Sequence, residues 1–446
     1  MKRFLKKNWK ILLVLLVAVL FRLKLSLMGA HGDLRVQSEW GNWMYQNGGP
    51  KGLYDWNVWG CIWPNHPPLI SWLYFLAYKA HSGLMFLFSN LGNFIALHRL
   101  APTKFMWFYD FIRWFGEARY ETTPFFMGTI VVIKQFMILA DLLIAGVIYY
   151  ICKKNNFNWK KFVLLYLLLP FTWYLSAAWG QSDQLSFLFL IIAFILLTSK
   201  KYVAISPLLY AIAINLKPNC VLLLPVFLFA WYKQRQSIWK LFLGGIVAIA
   251  FSFWTVSWFT DQNLISYCLD TLIKRISTGQ GLLTLNAYNF WFIFFPFPDK
   301  VMPETVNFLF LSAKTWGYIL IAVTTLLALK VVKYKKLETI FGAIFIAGFG
   351  SWLFMAGMHE RYSFFAIVAL LFYAMYKKKY LKYFLILSTI YFLSMFHVYS
   401  FMKELEPLKI IFLLGEELLP RILSVINLIV YCLVTHKMLK TNDKQT

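Results

Sequence analysis

The sequence predicts an all-α polytopic membrane protein, a single domain over residues 1–446 with a bundle of about twelve transmembrane helices. Three observations predict it. Of the 446 residues, 60% are hydrophobic and only 14% charged, against about 25% charged in an ordinary soluble domain. Apolar runs recur along nearly the whole chain, and a run of about 18 or more such residues reads as a span. Basic residues come in short clusters between those runs.

The clusters set the topology. They fall at 2–10, 153–161, 200–201, 233–240, 330–336, 377–382 and from 437 onward. Lys and Arg concentrate in the cytoplasmic loops of membrane proteins, so each cluster is placed inside. The same rule accounts for the net charge of +25, from 44 Lys and Arg against 19 Asp and Glu. It removes the nucleic-acid partner that such a charge suggests in a soluble protein. The basic start and its apolar run have the outline of a signal peptide. Arg22 and Lys24 follow with no small-residue cleavage site, so a retained first span over 9–28 is expected.

The remaining spans follow in pairs that leave the inner side and return. After the first span comes a long extracytoplasmic segment, 29–124, and a return over 126–152. The next pairs are 162–176 with 184–198, and 202–216 with 221–232. The pair 241–259 and 315–332 brackets a second long loop, 260–312. The last are 340–357 with 362–376, and 383–401 with 418–434. Both termini are then cytoplasmic. The stretch 202–232 is too short for two crossings of ~20 residues each. Its turn must lie below the outer surface, where irregular backbone needs protein or a water-filled cavity beside it. Within 29–124, the apolar stretches 69–77 and 84–94 read as interfacial helices, or as an extra pair of crossings.

The polar clusters that charge topology does not explain all fall on the outer side. They are His31-Gly32-Asp33, Pro64-Asn65-His66-Pro67-Pro68, Trp179-Gly180-Gln181-Ser182-Asp183, Lys217-Pro218-Asn219 and His359-Glu360-Arg361. Either they are five solvated turns or they converge on one cavity. Asp33 is the candidate general base, since an ionised carboxylate accepts a proton from a hydroxyl; the alternative is a helix-end carboxylate in water. Arg361 has the planar fork that suits phosphoryl oxygens, with Lys217 as a point charge and Arg22, in the outer third of the first span, as a third cation. The alternatives are snorkelling or pairing with Glu360 or Asp183. His31, Glu39, His66, Gln181 and Asp183 are candidate substrate contacts, and Trp179 offers a stacking face; Ser182 or Asp183 also suits a helix N-cap. His359 and Glu360 support Arg361. Lys134 and Asp141 share a helix face inside one span and have no assigned role. The five cysteines include no CxxC or metal spacing, and no obligatory metal or cofactor is expected. No disulfide framework is expected; a Cys61–Cys268 bridge between the two outer loops is open to the chain but unsupported by its pattern.

These pieces resemble the GT-C glycosyltransferases, and among them the bacterial relatives of the GPI-anchor second mannosyltransferase. The resemblance rests on Gly32-Asp33 after the first span, Gly52-Leu53-Tyr54-Asp55, Pro67-Pro68-Leu69, Trp179-Gly180-Gln181-Ser182-Asp183, Leu216-Lys217-Pro218 and His359-Glu360-Arg361-Tyr362. Their order and side are also similar, and they run to about residue 376. His66 stands where that family often has Tyr, and Asp33 has only Glu39 nearby where several relatives pair two acids. The resemblance implies a GT-C-like bundle in a bacterial plasma membrane, with an extracytoplasmic active site. It implies a polyprenyl-phosphate sugar as donor, a glycan, glycolipid or protein as acceptor, inversion at the sugar, and Asp33 as base.

Two other functions fit a polytopic protein with an outward cavity. A transporter or flippase of lipid-linked sugars needs repeat-related halves and polar groups reachable from both sides; the sequence has no internal repeat. A non-catalytic scaffold would tolerate Asp33→Asn. No Walker A loop, zinc-type His/Glu motif or G-x-S-x-G elbow is present, which argues against nucleotide-driven transport and zinc hydrolysis.

Overall fold

The computed structural model describes residues 2–55, 63–97, 106–116, 118–120, 123–277, 281–295 and 303–443. Cys61, the other half of the Cys61–Cys268 pairing, lies outside them; Cys268 is free. The chain is all-α. Its helices are α1 (Lys2–Ser26), α2 (Gly32–Gln46), α3 (Pro68–Leu97), α4 (Met106–Phe115), α5 (Met127–Lys154), α6 (Trp159–Leu168), α7 (Pro170–Trp173), α8 (Asp183–Leu196), α9 (Ser206–Leu216) and α10 (Leu224–Lys233). There follow α11 (Ile238–Ser257), α12 (Leu264–Tyr267), α13 (Lys274–Ser277), α14 (Phe290–Phe294), α15 (Ala313–Val331), α16 (Leu337–Phe354), α17 (Phe364–Tyr376), α18 (Leu381–Val398) and α19 (Ile410–Asp443).

Among the described residues six helical segments are long and apolar enough to cross a membrane, or seven if the bent pair α6–α7 is one span. The six are α5, α11, α15, α16, α18 with its leading turn, and α19 with its leading turn. This is fewer than the twelve expected. The apolar runs behind α8, α9, α10 and α17 fold as helices of 10–17 residues, counting the 3₁₀ turns joined to α9 and α10. At 1.5 Å per residue these reach about 15–26 Å, short of a ~30 Å hydrocarbon core. Each stops at one of the polar turns picked out in the sequence. The two stretches expected as separate interfacial helices are one 30-residue helix, α3, because Ser82-Gly83 between them does not interrupt it.

Burial sorts the helices. α16 and α17 are almost wholly enclosed and form the centre of the main apolar core. α11 and α15 expose most of their apolar surface, including Trp239, Phe242, Ile246 and Trp254 of α11. Apolar side chains facing outward along a whole helix are what contact with lipid requires. A second core packs α2 and α3 against α5. α2 and α3 meet at Gly41, where a Cβ would stand 2.6 Å from the Tyr74 carbonyl oxygen. α5 buries a helical stripe of Ile130, Lys134, Met137, Asp141, Ile144, Ile148 and Ile151, with two charged members.

Among the described residues there are three two-stranded pairings: β1 (Ala118–Tyr120) with β2 (Thr123–Phe125), β3 (Thr284–Leu285) with β6 (Met358–His359), and β4 (Asn307–Phe308) with β5 (Leu311–Ser312). The β3–β6 pair is parallel, Leu285 opposite His359. It ties the second long loop to the turn between α16 and α17.

One break in the bundle positions the site. α6 ends at Leu168, and Pro170 opens α7 at a bend of 52°. Proline has no N–H and its ring clashes with the carbonyl four residues back, so the helix cannot run straight. The chain continues as a π-helical turn, Tyr174–Trp179, and stops at Gly180 in the left-handed region, φ 81°. Beneath the break, Arg22 and Asp141 form a fully buried ion pair at 2.9 Å. Tyr166 Oη donates to Asp141 Oδ1 at 2.6 Å, Ser176 Oγ to Oδ2 at 3.2 Å, and Arg22 Nη2 to Thr172 Oγ1 at 3.1 Å. Three segments are thereby fastened to α1 and α5: the end of α6, α7 and the π-helical turn.

Candidate active site

Four turns between helices bring charge to one place. The first lies between α1 and α2. His31 caps α2, its Nδ1 accepting from the Asp33 N–H at 3.2 Å. Asp33 sits in the first turn, where the helix dipole favours a carboxylate. Its Oδ2 accepts from Gln181 Nε2 at 2.9 Å and from Arg361 Nη2 at 3.3 Å.

The second turn is the one Gly180 closes, and it delivers Gln181. A single side chain supports both turns. Lys134 is fully buried, and its Nζ donates to the Met28 and Gly29 carbonyls at 3.2 and 3.0 Å. Its stem lies under Gly180: a Cβ there would be 2.8 Å from Lys134 Cγ and 2.8 Å from Leu34 Cδ1. Only a glycine fits the approach, and only a glycine takes that φ without strain.

The third turn, between α16 and α17, carries His359-Glu360-Arg361. Arg361 Nη1 donates to Glu360 Oε1 at 2.7 Å. The guanidinium lies over the Trp179 ring at 5.4 Å and the Tyr362 ring at 5.7 Å. Its Nε is buried with no hydrogen-bond partner among the described residues. The backbone is pinned by Tyr391 Oη to the Arg361 carbonyl at 2.9 Å, by Trp352 Nε1 to the His359 carbonyl at 2.9 Å, and by β3. The fourth turn, between α9 and α10, brings Lys217 to Asp183 at 2.5 Å, with Nζ over the Tyr362 ring at 4.8 Å.

His66 borders this cluster. Its Nδ1 shares a hydrogen bond with Tyr74 Oη at 2.8 Å, its carbonyl accepts from Tyr54 Oη at 2.6 Å, and Trp40 meets its ring edge-on. Burial pushes the imidazole down to about 4, with Lys217 and Arg361 adding to that and Asp33 opposing it. His359 is likewise lowered, by burial and then by Arg361. Both imidazoles are neutral at pH 7. For Asp33, burial pulls upward, but Arg361, His31 and His359 outweigh it and hold the carboxyl far below the usual range. Glu360 is held down at about 2: burial raises it, and Arg361 and His359 more than offset that.

The charged side chains differ in access. Asp33 is 36% exposed, Arg361 11%, Glu360 2%, and the Lys217–Asp183 pair is buried. A cleft lined by Asn219, Leu222, Leu223, Trp352, Tyr362 and Phe365 runs beside Tyr362. Among the described residues no group of three His, Cys, Asp or Glu side chains is arranged to hold a metal ion.

The structure thus brings Asp33, His31, Gln181, Trp179, Asp183, Lys217, His359, Glu360 and Arg361 together, with His66 at the edge. It does not bring Arg22, which is enclosed with Asp141 and Thr172; a cation that deep inside the bundle needs a buried anion, and α5 supplies one. Nor does Glu39 join, six residues along α2 and bonded to Asn42. Trp179 is fully buried among His31, Tyr399 and Arg361. Its ring seats the guanidinium, and it is not an open platform for a sugar. Asp183 serves Lys217. Lys134 and Tyr399 are the members that sequence reading did not assign. A lysine inside an apolar run was the signal for the first; nothing marked the second. No protein-family model matches the chain, and no curated protein is similar to it in sequence.

Proposed function

We propose that the chain is a membrane glycosyltransferase that moves a sugar from a polyprenyl-phosphate donor to an acceptor hydroxyl, with Asp33 as general base. One observation carries the reading: Asp33 is the accessible carboxylate in a cluster whose other carboxylates are buried against cations. It is held by Gln181 and lies beside a guanidinium suited to phosphate. The acceptor oxygen attacks the anomeric carbon and its proton passes to Asp33. The bond from that carbon to the phosphate oxygen breaks with its electron pair staying on the phosphate, and the sugar inverts. Arg361 stabilises the charge that develops there. The Lys217–Asp183 pair, neutral overall, supports the Tyr362 wall.

In this reading the short helices α8, α9, α10 and α17 complete their crossings through the polar cluster. The bundle then has about twelve spans, both termini are cytoplasmic, and the cluster faces outward from a bacterial plasma membrane. The resemblance to GT-C enzymes and the basic inner loops support this arrangement.

The test is purified wild type beside Asp33→Asn, given a panel of polyprenyl-phosphate sugars and a membrane extract as acceptor. Turnover of one donor by wild type, reduced at least about 10²-fold in a folded variant, is expected. Equal activity removes Asp33 from the base role. If neither protein consumes donor while both bind it, the flippase reading replaces this one.

A further inference from the structure

We propose that the donor's phosphate displaces Asp33 from Arg361, so that donor binding itself arms the base. The inference rests on the transferase reading above and adds an order to it: donor first, then proton transfer.

The geometry divides the guanidinium into a fixed side and an exchangeable side. Nη1 is held at 2.7 Å by Glu360, which is buried and cannot leave. Nη2 reaches Asp33 at 3.3 Å, longer than the 2.7–2.9 Å of a strong charge-assisted bond. Nε has no hydrogen-bond partner among the described residues. Nη2 and Nε form one edge of the fork, which a phosphoryl group engages with two oxygens. Asp33 can give up Nη2 and keep its place, because Gln181 Nε2 still holds it at 2.9 Å and His31 still caps its helix.

Charge points the same way. The bonded cluster has three carboxylates (Asp33, Asp183, Glu360) and two cations (Lys217, Arg361). A phosphodiester adds another negative charge and takes the cation that stabilises ionised Asp33. The carboxylate's affinity for a proton must rise. Without donor it is a poor base, because Arg361 and its neighbours hold it far below the usual carboxylate range. The other groups around it leave this balance in place. His66 and His359 are neutral at pH 7. Tyr74 and Tyr362 are held up as phenols by burial. On the elements behind, Arg35 lies two residues along α2, and Lys134 donates to the turn that precedes it.

The test uses the full-length protein in detergent. The pH dependence of kcat/KM for donor reports the free enzyme and that of kcat the complex; the phosphodiester does not titrate in the range. The expected result is an acid limb in kcat at least about one pH unit above any limb in kcat/KM. A second measurement is binding of polyprenyl phosphate to Asp33→Asn and Glu360→Gln. Each removes one negative charge beside Arg361. Displacement predicts about tenfold tighter binding for Asp33→Asn, and no tightening for Glu360→Gln, which loses the anchor. Coincident limbs, or equal tightening in both variants, overturn the displacement and leave the transferase standing. No donor turnover in wild type at any pH overturns the transferase reading, and the displacement with it.

Discussion

Lys134 spends its ammonium on two backbone carbonyls, and among the described residues it forms no ion pair with a carboxylate. That makes it a support for the loops on either side of it. Lys134→Met keeps the stem under Gly180 and removes both hydrogen bonds, each worth about 0.5–1.5 kcal/mol net. We expect kcat to fall at least about tenfold with donor KM nearly unchanged, since the Asp33–Gln181 contact loosens while Arg361 stays in place. A double-mutant cycle with Gln181→Ala checks it: the two losses are non-additive if both act on the Asp33 carboxylate. Equal losses that simply add make Lys134 a stability residue only. Sequence alone located Asp33, Gln181, Lys217 and Arg361 because each is a polar residue where an apolar pattern stops. It did not settle their partners. The pairing of Lys217 with Asp183 and of Arg361 with Glu360 is the alternative the sequence offered; that Trp179 seats Arg361 and that Tyr399 packs on His31 are pairings across 182 and 368 residues of chain, and local pattern carries no information about them.

At the scale of elements, the broken rod of α6, α7 and the π-helical turn is the piece that turns Gln181 toward Asp33. Its anchor is the Arg22–Asp141 pair. Removing one partner of a buried pair strands the other charge, at about 3–5 kcal/mol. Arg22→Met or Asp141→Leu alone should therefore lower the midpoint of thermal unfolding in detergent and reduce turnover. The double variant, apolar on both sides, should recover most of the unfolding midpoint. If the double variant is as unstable as the sum of the singles, the pair is not the anchor. The sequence contained the proline that breaks the rod and both charges. It suggested Arg22 as a phosphate ligand because depth along a helix is legible while rotation about its axis is not; the rotation turns Arg22 inward to α5. The sequence also divided α3 into two stretches, because its Ser82-Gly83 junction is polar without being a stop.

At the scale of the whole molecule, the alternation of apolar runs with basic clusters is legible in the sequence, and the all-α fold follows from it. Span number was less so, because a run of apolar residues does not reveal where its helix ends. α8, α9 and α17 end early at the charged turns, so the bundle carries a charged cluster at one end, with the buried Arg22–Asp141 pair as a separate charged point beneath it. The proposed orientation has a direct check on a cysteine-less chain. Asn47→Cys, after α2, should react with a membrane-impermeant maleimide in intact cells. Asn156→Cys, between α5 and α6, should react only after permeabilisation. The reverse pattern would invert the topology and move the site to the inner face.

The Arg22–Asp141 pair also has a consequence in time. The partners are 119 residues apart. At a synthesis rate of about 5–20 residues per second, the ribosome needs about 6–24 s to make the second after the first. In the proposed topology the opening helix waits through that interval with a guanidinium whose counter-ion is not yet made, and the pair closes only once the fifth helix is synthesised.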